Sequence, residues 1–142
     1  MSVRNAGFFN FYMTQLSKGQ IEDSIAKQVT KFYVKALGVG PRETRVYLVE
    51  DMIIIRLKGK LLPIEQKLLE YEQGVKLVKN IREILHEITV PGLMSIIKAV
   101  TKQNVTSSHS DISTKTGEIV QVYVLDINYE ERLKETDTYG RL

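Results

Sequence analysis

The run ETRVYLVEDMIIIRLKGKLL, residues 43–62, constrains the fold more than any other part of the chain. It holds two strand-length apolar stretches, Val46 to Val49 and Met52 to Leu57, on either side of the acidic pair Glu50-Asp51. β-Branched and aromatic residues dominate both, and neither is long enough to be a self-burying helix. The pattern therefore predicts a hairpin that turns at Glu50-Asp51. Ile53, Ile54 and Ile55 are consecutive, so this strand is apolar on both faces. Such a strand belongs inside a sheet, with helices over one face and a partner chain or another element over the other.

The other periodicities supply the helices. Ser17 and Gln20 have capping-box spacing, and Ile21, Ile25, Val29, Phe32 and Ala36 follow as one apolar stripe. Gly38 fits a left-handed cap, and Gly40-Pro41 prevents continuation. On the same helix Lys27, Lys31 and Lys35 make a basic ridge, with Asp23 placed to pair with Lys27. Pro63 suits the first turn of a second helix. From Val75 to about Gln103 the apolar residues keep helical spacing on both sides of Pro91, which predicts a kink or break near Thr89-Val90. Asn104 is the expected left-handed stop.

A second hairpin joins residues 105–112 to 118–125, with Gly117 supplying a positive φ. In its second strand Ile119, Gln121, Tyr123 and Leu125 share one face, and Val120, Val122 and Val124 the other. Its first strand is polar, as expected of a sheet edge, of the wall of a polar groove or of a strand that pairs across a subunit boundary. The fold class is α+β: two antiparallel hairpins forming a four-stranded sheet, packed by a long N-terminal helix and a kinked central helix pair. One domain spans residues 1–142, with an aromatic segment over 1–13 (Phe8, Phe9, Phe11, Tyr12) that docks on the core or a second subunit. A charged, loose tail is expected over 127–142. The doubly apolar hairpin leaves one sheet face to be covered, and a homodimer would cover it.

Composition narrows the classes. A hydrophobic fraction of 43% and a charged fraction of 26% are those of an ordinary globular protein. The absence of cysteine excludes disulfides, thiolate metal sites and cysteine nucleophiles, and fits a cytoplasmic protein. The longest apolar run in the hairpin, Met52 to Ile55, is far shorter than the roughly 20 residues that span a bilayer. The expectation is a soluble cytoplasmic chain without a membrane span. The net charge of +3 is spread as +4 over residues 1–42, +1 over 43–125 and −2 over 126–142. That is not the clustered basic footprint of a nucleic-acid binder.

Candidate chemistry concentrates in Ser107-Ser108-His109-Ser110-Asp111. On a strand His109 and Asp111 point to the same side, with Cα atoms about 7 Å apart. A base with its orienting carboxylate, or two metal ligands, can be placed that way. No third ligand is in view, however, since the other histidine, His86, lies in a predicted helix. No G-x-S-x-G elbow or P-loop is present either, and Lys58-Gly59-Lys60 lacks the flanking residues of a phosphate loop. No catalytic residue, metal or cofactor is assigned. Ser108, His109, Ser110 and Asp111 remain a candidate ligand or partner groove, and Lys27, Lys31 and Lys35 a candidate partner ridge.

Several runs together carry a resemblance: GVGPRETRVYLVEDMIIIRLKG, LLPIEQKLLE, EQGVKLVKNIREIL and VTSSHSDISTKTGEIVQVYVLD. Over roughly Lys18 to Leu133 the chain resembles the bacterial MpsC-like family, long a domain of unknown function and described as a component of a Na⁺-translocating, membrane-potential-generating system. The resemblance implies a non-enzymatic accessory subunit, peripheral to a membrane cation-transport complex. It supplies no catalytic position. Two departures stand out. Leu61-Leu62-Pro63 replaces the family's Leu-Thr-Pro, which removes a threonine N-cap worth about 1 kcal/mol. Lys102-Gln103-Asn104 replaces its Thr-Gly. The alternatives from the residues alone are a ligand sensor or enzyme using a groove near His109 and Asp111, and, less favoured, a nucleic-acid binder.

Overall fold

The computed structural model describes residues 16–59 and 61–140. The aromatic cluster Phe8 to Tyr12 and Lys60 lie outside the described residues. The elements in order are α1 (Lys18–Leu37), β1 (Glu43–Val49), β2 (Met52–Lys58), α2 (Pro63–Leu68), α3 (Glu72–Thr101), β3 (Val105–Ile112), β4 (Ile119–Leu125) and α4 (Tyr129–Gly140). The four strands form one antiparallel sheet in the order β1-β2-β4-β3. The two hairpins thus meet through β2 and β4, and the apolar strand β2 is interior. Polar β3 is an edge.

Helix α1 starts as its sequence dictates. Ser17 Oγ accepts from Gln20 N at 3.2 Å, and Gln20 Oε1 accepts from Ser17 N at 2.9 Å. It ends on Gly38 at φ 77°, a left-handed cap that glycine adopts without a Cβ penalty. Ile21, Ile25 and Val29 are buried as expected, but the stripe continues through Tyr33 and not through Phe32 and Ala36. Phe32 instead lies against Gly92 of α3, where a Cβ would meet its ring at 2.3 Å. Helix α1 packs over β1 and against α3, which packs over β3. Glu22 Oε2 accepts from Leu48 N at 2.8 Å, using a side chain of α1 to satisfy a backbone donor of edge strand β1.

Strand alternation sets the core. Val46, Leu48, Ile53, Ile55, Leu57, Tyr123 and Leu125 are buried on the helical face with Ile21, Ile25, Val29, Leu93 and Ile97. The opposite sheet face carries Tyr47, Ile54 and Val122 in one cross-strand row with His109. Among the described residues no helix covers that face.

Of the kink or break expected near Thr89-Val90, no break occurs. Helix α3 runs unbroken from Glu72 to Thr101 with Pro91 inside it, and the central helix pair is α2 with α3. Pro91 removes a single backbone donor. Nearby, Thr89 Oγ1 donates to the His86 carbonyl at 2.9 Å, and Leu93 and Ile97 anchor the following turns in the core. α3 is also long and apolar enough, by length and composition alone, to cross a membrane; its Thr89, Leu93, Ile97 and Thr101 are buried within the protein.

Its left-handed stop is Lys102 at φ 62°, two residues before the expected Asn104. Asn104 is occupied otherwise: its carbonyl accepts from Asp126 N at 3.0 Å. A side chain at φ 62° is strained, so Lys102→Gly is expected to stabilise the protein by about 1 kcal/mol. Urea unfolding would measure it, and a loss of stability would contradict this cap geometry.

Beyond Asp126, where the sequence suggests a loose charged tail, the chain forms α4. Its first turn is tied to the β1–β2 turn, because Glu130 N donates to Glu50 O at 3.1 Å and Glu50 N to Glu130 Oε1 at 3.0 Å. Glu130 also pairs with Lys18, and the Tyr129 ring is buried in the core. These bonds hold Glu50 at φ 56°, the left-handed residue of the turn.

Candidate functional site

A cleft of about 670 Å³ opens at one end of the sheet, between the C-terminal part of α1, the α2–α3 pair and the ends of β2, β3 and β4. Its volume is in the range of small-molecule sites. Leu37, Leu57, Val78, Leu85 and Ile119 give it apolar walls. The α2–α3 pair exists as a wall because two features lock it. Gly74 sits where a Cβ would lie 1.7 Å from the Leu68 carbonyl oxygen, so the first turn of α3 rests directly on the end of α2. Arg82 of α3 then grips Glu65 of α2 with two bonds, Nε to Oε2 at 2.9 Å and Nη2 to Oε1 at 2.7 Å. The Arg82 guanidinium holds the Glu65 carboxyl below the ordinary carboxylate range. Glu65 Oε1 also accepts from Leu62 N at 3.0 Å, the half of a capping box that does not need a threonine at position 62.

The polar floor of the cleft is a buried chain of hydrogen bonds. Tyr123 Oη donates to Gln121 Oε1 at 2.8 Å, and Gln121 Nε2 donates to Tyr33 Oη at 2.8 Å. Gln121 and Tyr123 are fully buried and Tyr33 is 7% exposed. Burial pushes the Tyr123 hydroxyl pKa well up, so it stays protonated and donates throughout the physiological range. Sequence alternation placed Gln121 on one face with Ile119, Tyr123 and Leu125 but did not reveal this network. The signal was there: one amide among Ile119, Tyr123 and Leu125 needs buried partners.

His86 borders the same cleft, and its Nδ1 is buried without a partner among the described residues. Burial lowers its pKa, with Glu87 opposing weakly, so the imidazole is neutral at pH 7. A base depressed on folding contributes stability that is present above its unfolded pKa and lost as pH falls through that value towards the folded one. Wild-type stability should therefore decline below about pH 6.5, and His86→Phe should remove that part of the decline. Denaturant midpoints measured between pH 7.5 and 5.5 would show it, and identical slopes in both proteins would refute it.

The strand residues singled out in the sequence are divided by the pleat. Register places Ser108 and Ser110 opposite Tyr123 and Gln121 on the helical side, and His109 and Asp111 opposite Val122 and Val120 on the open face. Ser110 and Asp111 reach the rim of the cleft; His109 stays exposed on the open face. Among the described residues no group of three His, Cys, Asp or Glu side chains is placed to hold a metal ion. Lys27, Lys31 and Lys35 are all exposed on α1, and Lys27 pairs with Asp23 at 2.9 Å.

The open face has its own chemistry. Its rows are Val49-Met52-Val124-Ser107, Tyr47-Ile54-Val122-His109 and Arg45-Arg56-Val120-Asp111. Arg45 and Arg56 flank the Tyr47 hydroxyl and draw its pKa down. Glu43 and Glu118 pair with those two arginines at 2.6 and 3.0 Å. The result is an apolar centre with a charged margin.

Together these features define a small α+β protein with helices on one side of a four-stranded sheet, an open apolar sheet face and an apolar cleft at the sheet's end. The chain belongs to the MpsC family, whose model, described as "Na+-translocating membrane potential-generating system (MpsC)", matches residues 17–127. It is 37% identical over 119 residues to the uncharacterized protein YbcI of Bacillus subtilis (strain 168), covering 84% of this chain and 96% of that protein. No solved structure matches.

Proposed function

We propose that the protein is a homodimeric, non-enzymatic accessory subunit that works at the membrane beside a cation-transport system. One observation carries the reading: the open sheet face, with Tyr47, Ile54 and Val122 at its centre, lacks a cover among the described residues. The family's description supplies the transport setting.

A second copy suits that face. When one sheet is stacked on another about a two-fold axis parallel to the strands, β1 of one copy lies over β3 of the other. The row order is kept, so Arg45 at one margin meets Asp111 at the other, and Ile54 and Val122 meet across the centre. The exposed ridge Lys27, Lys31 and Lys35 stays on the far, helical side, free for an acidic partner, and the edge of β3 stays open to strand addition. The protein is then cytoplasmic and peripheral.

The test is Ile54→Lys, which places an ammonium at the centre of the stacked faces. Wild type is expected to run at twice the chain mass in light scattering and the variant at the chain mass, with its far-UV circular dichroism unchanged and its melting midpoint lowered by the lost association. A monomeric wild type would overturn the dimer. Cross-linking in the source cell tests the setting: recovery of a membrane cation transporter by wild type supports it, and recovery of the dimer alone refutes it.

A further inference from the structure

We infer that the cleft between α2–α3 and the sheet end is a binding site for a neutral, mainly apolar molecule that presents a carbonyl oxygen to the Tyr33 hydroxyl. The argument starts from the direction of the buried hydrogen-bond chain. Tyr123 is fully buried and does not border the cleft, so its hydroxyl hydrogen has one place to go, the oxygen of Gln121 at 2.8 Å. The Gln121 amide nitrogen can then only donate, and it donates to Tyr33 Oη. Tyr33 is left with its own hydrogen and no acceptor among the described residues. It is over nine-tenths buried, and it borders the cleft. An unmet hydroxyl donor in that position favours an oxygen acceptor inside the cleft.

The ligand's remaining chemistry follows from the walls. Leu37, Leu57, Val78, Leu85 and Ile119 favour an apolar body, and about 670 Å³ admits one of drug or cofactor size. Charge selects against an anion. Arg82 is already held by Glu65, and the cleft's two cations, Lys79 and Arg82, are outnumbered by the carboxylates Glu65, Glu83 and Glu87, with Asp111 at the rim. A fatty-acid carboxylate therefore meets net negative charge, whereas a ketone, ester, amide or quinone does not.

The experiment uses Nile red, a neutral apolar dye with a ring carbonyl, titrated into the full chain. Saturable binding with one dye per chain is expected, displaced by methyl nonyl ketone and not by decanoate. Tyr33→Phe should weaken it about tenfold, the factor for one hydrogen bond. Tyr33→Phe also leaves Gln121 Nε2 without its acceptor, so a second variant guards against misfolding. Leu85→Trp narrows the cleft from its rim, and its indole, in a chain without tryptophan, reports folding. It should abolish binding. Ile88→Lys, exposed one turn beyond Leu85 and outside the cleft's lining, and Ile54→Lys, on the open sheet face, should leave it unchanged. Undiminished binding by both Tyr33→Phe and Leu85→Trp would overturn the site. So would loss of binding in Ile88→Lys or Ile54→Lys, or displacement by decanoate as effective as by the ketone.

Discussion

Gly74→Ala should destabilise the protein by roughly 3 kcal/mol, the upper part of the range for forcing atoms into a packed site. At an ordinary helical position the same change is favourable by up to about 1 kcal/mol, because alanine loses less backbone entropy and is a better helix former. The sign reverses here because of what the methyl would meet. Its carbon would lie 1.7 Å from the Leu68 carbonyl oxygen and 2.5 Å from the carbonyl carbon. Both are backbone atoms, and that oxygen already accepts from Tyr71 N at 3.1 Å, so no rotamer change relieves the overlap. Either α2 moves off the first turn of α3 or the turn at residues 69–71 is rebuilt. Both routes should strain the Arg82–Glu65 pair and reshape the cleft. Urea unfolding gives the stability, and hydrogen exchange should show α2 losing protection before the sheet does. A variant as stable as wild type, or more so, would mean that α2 and α3 do not meet this closely in solution.

How far the fold was legible depends on whether its determinants were local. The capping residues Ser17 and Gln20, Gly38 beyond α1, the turn over Glu50-Asp51 and the positive φ at Gly117 all act within a few residues, and all lie where the sequence puts them. β3 reads as an edge because its polar run has no core to enter. Determinants that act across the chain were hidden. Gly74, in sequence either a break or a weak spot before a helix, is explained only once Leu68 lies against it. Phe32 looks like part of the α1 stripe until Gly92 offers it a bare stretch of helix. Pro91 obeys a strong local rule, yet the core packing of Leu93 and Ile97 carries the helix through it. α4 has almost no apolar periodicity, and its docking depends on Glu130 reaching Glu50 and Lys18, far away in sequence. The candidate site was the least legible. Its cleft exists only where six elements converge, and its floor joins Tyr33 to Gln121, residues 88 apart.

The second large effect concerns the clasp itself. Arg82→Met is expected to cost roughly 3 kcal/mol at pH 7, because it keeps the side-chain stem but leaves the Glu65 carboxylate enclosed without its counter-charge. The pair is well shielded, with side chains 18% and 13% exposed, so solvent screening relieves little of that cost. The variant's stability should also depend on pH in a defined direction. In wild type the Glu65 pKa is lowered, chiefly by its bond to Arg82. The pair's contribution is therefore complete above the unfolded carboxyl value of about 4.3 and is lost as pH falls through the lower folded value. In Arg82→Met burial favours the protonated acid, so acidification relieves the variant while it weakens wild type. The gap between the two proteins should be widest above pH 5 and narrow towards pH 3. The double variant Glu65→Gln/Arg82→Met should be markedly less damaged than the sum of the single changes, since it removes both charges together. Glu65→Gln alone still offers an oxygen to Leu62 N, so the cap on α2 survives and the cycle isolates the ion pair. Additive costs, or an Arg82→Met variant within 0.5 kcal/mol of wild type, would show that Gly74 and apolar contact hold α2 without the clasp.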